Sequence, residues 1–284
     1  LDILKDITAA VDRLKPLSPG ALQLLSMVSG GEYGIQDVAH VVERDPALTA
    51  NVLRVVNAPA FGLGVPVNSV ARAVGYLGDR MVAGIALATS SPRVFNVTLA
   101  GYESGPGELW RHCLRTAIAA RYMAVSGTNG VNANLAFTAG ILHDIGKAVL
   151  SDYLVGRTPE LLALIEARAA ESFQEAERAV LGVDHCQVGH ALALKWNLPE
   201  PIPQAVLLHH QPAKADPEWR ELVFSVHLGD MVSMMGGTGT GVDTLMYPLD
   251  EGYVEVFDFA EEQLDQILLD VTMEFEKLRT PFWD

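Results

Sequence analysis

The stretch Leu135 to Leu150, LAFTAGILHDIGKAVL, constrains this chain more than any other. It reads as one apolar helix-like run into which an adjacent His143 and Asp144 are set, with Lys147 one turn later. Ionisable groups in an apolar helix need a use or a partner, because such side chains are almost never buried unpaired. Taken alone the pair is ambiguous: a buried His can be a satisfied core residue, and an Asp can cap a helix.

The rest of the chain predicts helices as well. Ser18 before Pro19 makes an N-cap and first-turn proline opening the apolar series Leu22, Leu24, Leu25, Val28, which Gly30 and Gly31 close. A second helix runs from Ile35 to about Glu43. Asp45 and Pro46 then start a third, carrying Leu48, Val52, Val55 and Val56. Another pair flanks Gly78 and Asp79. The pattern breaks between about Ser90 and Gly107, where YESGPG supplies turn signals, and helical periodicity resumes from Glu108 to about Met235. Long alternating runs rich in Val, Ile and Thr are missing, so strands are not expected. GGTGTG at 236–241 reads as a mobile link or a loop and GYVEVF as an extended stretch. Asp258 and Glu261 form a capping-box-like start to a last helix with Leu264, Ile267, Leu268, Val271, Phe275 and Leu278 on one face.

With 284 residues, 49% of them hydrophobic, the chain can bury a sizeable core as one large or two smaller domains. It contains no apolar run of roughly 18 residues and no secretory-type opening, which places it in the cytoplasm. Leu1 in place of Met fits a segment of a longer protein. Cys113 and Cys186 are too few for a disulfide framework. The formal charge of −15 is concentrated at the end: residues 241–284 hold 12 acidic side chains against only Lys277 and Arg279, whereas residues 1–95 balance 8 against 8. No basic stripe is present to neutralise phosphates, which disfavours nucleic acid, and none to hold a membrane surface.

Five of the eight histidines lie in contexts that resemble a metal site: His112 in ELWRHCLRTA, His143 in the HDIGK run, His185 in GVDHCQVGH, and His209 and His210 in VLLHHQP. Asp144 and Asp230 complete the set. Imidazole and carboxylate suit Fe, Mn, Zn or Ni, and a bridging Asp can hold two ions together. Helix neighbours point about 100° apart, so each doublet converges on one centre only by straddling the inner face.

The order H…HD…H…HH…D resembles the HD superfamily of metal-dependent phosphohydrolases. ERDPALTANVLRVVNAPAFG, AVGYLG, WRHCLRTA, LHDIGK, LGVDHCQVGHALALKWNLP and HHQP together resemble, more narrowly, the HDOD family, the HD-related output domain of bacterial signalling proteins. The resemblance implies an all-α, two-lobed helical bundle, an N-terminal helical subdomain (1–95) and an HD-like metal-binding core (108–235), to which the sequence adds an acidic C-terminal extension with a helix (241–284). It further implies one ion on His112, His143, Asp144 and Asp230, and a second on Asp144, His185, His209 and His210. Asp144 and Lys147 would then be the catalytic candidates, with Lys147 in reach of a nucleotide or phosphate ligand, unless it is a surface or capping Lys. The implied function is a signal-transduction output module working with a receiver or sensor domain outside this segment, or with other signalling proteins. The alternative is an active phosphohydrolase or phosphodiesterase acting on a nucleotide or cyclic dinucleotide. Against the cyclic-dinucleotide branch, His210 is followed by Gln211 and Pro212, and no GYP follows. Cys113 and Cys186 are either small buried neighbours or thiolate ligands; Asp184 either orients an imidazole or starts a helix; His40, His190 and His227 read as core or surface residues.

Overall fold

Helices begin where the sequence places caps. Ser18 Oγ accepts from Ala21 N at 3.2 Å, and Asp45 Oδ1 accepts from Ala47 N at 3.0 Å and Leu48 N at 3.1 Å, each just ahead of a first-turn proline. The computed structural model describes residues 2–30, 33–127 and 130–278; Gly31, expected to close a helix, lies outside the described residues. The first lobe contains α1 (Asp2–Arg13), α2 (Pro19–Gly30), α3 (Ile35–Glu43), α4 (Pro46–Val56), α5 (Val70–Leu77), α6 (Asp79–Ser90) and the short α7 (Pro92–Phe95). The second contains α8 (Glu108–Ser126), α9 (Ala133–Leu142), α10 (Lys147–Leu154), α11 (Thr158–Glu166), α12 (Phe173–Leu181), α13 (His185–Lys195), α14 (Ile202–Leu208) and α15 (Arg220–Met235), and α16 (Glu261–Leu278) follows. No strand occurs among the described residues beyond the isolated bridge Leu99–Ser104.

The lobes meet through α2 and α6 on α9, and through α1 on α10 and α13. One cluster of buried apolar residues runs across the seam, from Ile7 to Phe275. Residues 90–107, where the helical pattern breaks, are packed inward: Phe95, Leu99 and Tyr102 are fully buried. The second lobe is built around α8, flanked by α9, α15 and α16. Gly140 and Gly229 let α9 and α15 lie almost backbone to backbone on α8: a Cβ on Gly140 would stand 2.6 Å from Ala117 Cα, and one on Gly229 2.7 Å from Ala120 N. That closeness draws His112, on α8, toward ligands arriving from both sides.

Four expectations are corrected or narrowed. The run Leu135–Leu150 is not one helix, since α9 stops at Leu142 and α10 starts at Lys147, with a turn of i→i+3 bonds between them (Ile145 N to Leu142 O, Lys147 N to Asp144 O). GYVEVF is wound as a 3₁₀ turn, Glu251–Glu255, because the Asp250 carboxylate accepts from Gly252 N at 3.0 Å and no neighbouring strand among the described residues offers a ladder. GGTGTG is a loop, but a packed one and not a free link: Thr238 and Thr240 are buried, 9% and 2% exposed, and both make bonds at the centre of the protein. Finally, the bond that opens α16 runs from Ala260 N to Gln263 Oε1, two residues beyond Asp258; the Glu261 side chain lies outside the described residues. The apolar face of α16 is otherwise as expected, with Ile267, Val271 and Phe275 buried, while Leu268 is on its rim at 37% exposure.

Candidate metal centre

Each histidine doublet follows the last residue of a helix, His143–Asp144 after α9 and His209–His210 after α14. Where the helical ladder stops, adjacent side chains are freed from the fixed angle between helix neighbours. The same local device steers both leading imidazoles: Nδ1–H of His143 donates to Gly140 O at 2.8 Å, and Nδ1–H of His209 to Val206 O at 2.9 Å, each three residues back. His112 Nδ1–H donates to Thr238 O at 2.7 Å, and His185 Nδ1–H to Glu177 Oε2 at 2.7 Å. All four rings therefore turn Nε2 inward, as ligating imidazoles do when their other nitrogen is held by a carbonyl or carboxylate.

The seven expected residues converge, and none is more than 6% exposed. His112 Nε2 lies 3.2 Å from His143 Nε2, 3.3 Å from Asp144 Oδ2 and 3.0 Å from Asp230 Oδ1. On the other side, Asp144 Oδ1 lies 3.5 Å from His185 Nε2 and 3.6 Å from His209 Nε2. The two oxygens of Asp144 thus face two different imidazole sets. Donors about 2.1 Å from a shared ion stand roughly 3.0–3.4 Å apart, close to these spacings. His210 stands beside the second set, its ring centroid 4.1 Å from that of His209 and 5.2 Å from that of His185.

Hydrogen bonding tests whether the residues suit ions. Both carboxylate oxygens of Asp144 and both ring nitrogens of His210 are buried without a hydrogen-bond partner; Lys147 Nζ stands 2.8 Å from Asp144 Oδ2, but as an ion pair outside hydrogen-bond geometry. Orphaned buried acceptors are expensive, and a divalent cation would satisfy them. The donor set fits.

Protonation points the same way. Burial pushes the His143 imidazole down, but Asp144 and Asp230 outweigh it and hold it well above its ordinary range. His112 is likewise raised, by the same two carboxylates against burial. His185 and His209 are also raised against burial, His185 by Cys186 and Glu177, His209 by Cys186 and Asp144. Burial would raise Asp144 and Asp230; cationic neighbours, Lys147 and His143 for the first, His112 and His143 for the second, hold both well below the carboxylate range. His210 falls well below its range through burial and then the charges of His209 and His185, so its ring is neutral with a lone pair free.

Lys147 is neither a surface nor a capping residue. It is buried at 2% exposure, and its ammonium donates to Thr240 Oγ1 at 2.8 Å and Asp243 Oδ2 at 2.7 Å besides pairing with Asp144. Burial lowers its pKa, but Asp144, Asp243 and Asp230 more than compensate and keep it charged. Asp184 caps α13 through Gln187 N at 2.8 Å and pairs with Arg178, so it starts a helix. The carboxylate that orients His185 is Glu177, which was not anticipated. Its signal was an acid on the face of α12 that also carries Phe173, Ala176 and Leu181, all buried. Asp243, Tyr247 and Tyr102 also escaped notice: Tyr247 stacks on His210 with centroids 3.8 Å apart, and Tyr102 Oη donates to Glu177 Oε1 at 2.5 Å. Cys186 Sγ stands 3.4 Å from His185 Nε2 and 3.9 Å from both ring nitrogens of His209, within the second donor set. Cys113 is buried beside His143, whose ring lowers its thiol pKa against a larger rise from burial. His227 is a core residue, donating through Nδ1 to His209 O at 2.8 Å and accepting from Asp250 N at 3.0 Å; His40 is exposed.

An all-helical two-lobed bundle with imidazoles and carboxylates pooled at its centre defines a protein of the HD type. The chain belongs to the HDOD domain family, whose model matches residues 14–212. An HDOD domain protein of unknown function from Geobacter sulfurreducens superposes with a TM-score of 0.74 at 22% identity, covering 99% of this chain and 97% of that one. A provisionally named signal transduction protein from Marinobacter aquaeolei VT8 gives 0.75 at 20% identity, over 97% and 64% of the two chains. A provisionally named phosphohydrolase from Shewanella amazonensis SB2B gives 0.56 at 21% identity, over 98% and 89%. These likenesses establish the fold. In sequence, an uncharacterized protein of Treponema pallidum (strain Nichols) is 25% identical over 229 residues, 79% of this chain and 43% of that protein, so the chain spans less than half the length of this curated relative. No helix among the described residues is long and apolar enough to cross a membrane.

Proposed function

We propose that this chain is a signal-transduction output module built around a resident dinuclear centre of Fe, Mn, Zn or Ni, working with a receiver or sensor domain outside this segment. The observation that carries the reading is Asp144, whose two oxygens face separate imidazole sets, His112 with His143 and His185 with His209. His112, His143, Asp144 and Asp230 would hold one ion; Asp144, His185, His209 and His210 the other. Burial of every donor and the engagement of Lys147 by Asp243 favour a regulatory centre over one open to substrate. When bound, two such ions supply Lewis acidity toward a phosphoryl group. The chain itself supplies orientation through the Nδ1 anchors, exclusion of water, and a cationic Lys147 beside the bridging carboxylate.

The complete ligand set favours a second reading, a phosphohydrolase or phosphodiesterase acting on a nucleotide or cyclic dinucleotide. Metal analysis of the purified chain should find roughly two equivalents, lost in the double variant His143→Ala, Asp144→Ala with its helicity intact. Wild-type protein that is folded, reconstituted with these metals and still metal-free would sink the proposal. Turnover of nucleotides or cyclic dinucleotides that depends on added Mn or Fe would select the enzyme; metal-loaded protein inert across a broad panel would select the module.

A further inference from the structure

Beyond α15 the chain turns back over the metal centre. Residues 236–250 contain no helix and form a strap whose inner side bonds to the site. Thr238 O receives His112 Nδ1–H, Thr240 Oγ1 and Asp243 Oδ2 receive protons of Lys147, and the Tyr247 ring lies on His210 with an interplanar angle of 9°. Tyr247 Oη also donates to Asp243 Oδ2 at 2.7 Å, and the Thr240 hydroxyl is 3.0 Å from the same oxygen. The strap is anchored by Val242 N to Tyr102 O at 2.9 Å and Phe173 N to Met246 O at 3.0 Å. At Gly241, with φ 123°, a Cβ would collide with the Tyr102 carbonyl, so the close approach requires glycine. The whole strap lies beyond residue 212, where the family match ends.

We propose that the strap is a built-in inhibitor of the centre, in which Asp243 takes the place on Lys147 that a phosphoryl group occupies when the strap lifts. The inference rests on the metal-centre reading above. Lys147 belongs to the core, whereas Thr240, Asp243 and Tyr247 all belong to the strap, so lifting it leaves the ammonium only the pairing with Asp144 and the face of the Tyr102 ring, 5.6 Å from its centroid. An ammonium that loses one of its two carboxylate partners and its hydroxyl acceptor can take up another anion in their place. A phosphoryl group matches what is removed: it is anionic, it presents several acceptor oxygens to one ammonium, and it would rest against the bridging carboxylate's metal pair. The strap has no helical ladder of its own and turns Leu245 and Leu249 outward, 58% and 46% exposed, while Tyr247 packs in the core and Arg115 bonds to Gly236 O and Thr238 Oγ1.

The test uses the full metal-loaded chain, with inorganic phosphate as probe. Phosphate binding by calorimetry and metal loss to a chelator are compared between wild type, Asp243→Asn and Tyr247→Phe. The Asn variant removes the competing charge. The Phe variant keeps the ring over His210 and deletes only the hydroxyl bond to Asp243, so it carries the test should the first variant fail to fold. Both should bind phosphate more tightly and release metal faster than wild type, by about tenfold for Asp243→Asn and less for Tyr247→Phe. Folded, metal-loaded variants that match wild type in both measurements would overturn the inhibitor while leaving the centre standing. Metal-free wild type would remove the centre, and the inhibitor with it.

Discussion

Each leading imidazole at the centre is aimed by a bond on its far nitrogen, and the anchors differ in kind. His143 and His209 use carbonyls of their own helices, His112 uses Thr238 O, and only His185 uses a carboxylate, Glu177. A carboxylate fixes the tautomer and also raises ligand basicity, and its loss usually weakens metal binding 10–100-fold. Glu177→Gln should therefore weaken one of the two binding steps in a metal titration by about that factor, leaving the other step and the circular dichroism unchanged. Equal weakening of both steps would show that Glu177 supports the bundle and not His185 in particular. The sequence made His185 legible through its place in an ordered set, and it showed Glu177 only as an acid on an apolar helix face. Nothing local says that such an acid meets an imidazole, because the two are joined by a turn that brings α12 back to the first residue of α13.

At the level of elements, helix ends do the positioning. The turn between α9 and α10 is held against α13: a Cβ on Gly146 would run into His185 O and the Gly189 amide, both backbone groups that cannot step aside. Gly146→Ala should destabilise the fold by about 1–3 kcal/mol, the usual cost of overpacking, and reduce bound metal by displacing His143 and Asp144. Chemical denaturation and metal analysis of the same sample check this; a variant with wild-type stability and full metal would refute the close-packed turn. Periodicity marked the helices of the first lobe well, since Leu48, Val52, Val55 and Val56 are all fully buried as their spacing predicts. It missed the break after Leu142, because the apolar run is continuous in sequence and the interruption comes from His143, Asp144 and the crowded Gly146. It also could not tell a mobile link from a packed loop at GGTGTG, whose glycines signal freedom until tertiary contacts with Tyr102 and His112 remove it.

For the molecule as a whole, metal and protons compete for the same donors. Asp144 and Asp230 have lowered folded pKa values, so their stabilisation exists above the ordinary carboxylate range and is lost as pH falls through those lowered values. His112, His143, His185 and His209 are raised, so in metal-free protein their stabilisation is complete below the ordinary imidazole range and is lost as pH rises through the raised values. His210 is lowered and works the other way, one ring against four. Chelator-treated protein should accordingly be more stable near pH ~6 than near pH ~8. The rise in Tm on adding metal should grow over the same interval, reaching about 5–10 °C when metal exceeds Kd about 100-fold. Thermal melts with and without chelator at both pH values check the sign, and a metal-induced shift that shrinks as pH rises would contradict the assigned donors.

The amino-acid sequence alone determined the all-helical class and the caps that start α2 and α4, because these depend on local periodicity and residue type, and its resemblance to the HDOD family pointed to the seven residues that converge. The tertiary structure decided how Asp144 divides its oxygens between two imidazole sets, that Glu177 holds His185, and that Asp243 holds Lys147. Those pairings join groups brought together only by packing: Lys147 and Asp243 are 96 residues apart, and no pattern along the chain records which buried charge will answer another. The pair His143–Asp144 was visible from the start; the strap that closes over it exists only in the folded molecule.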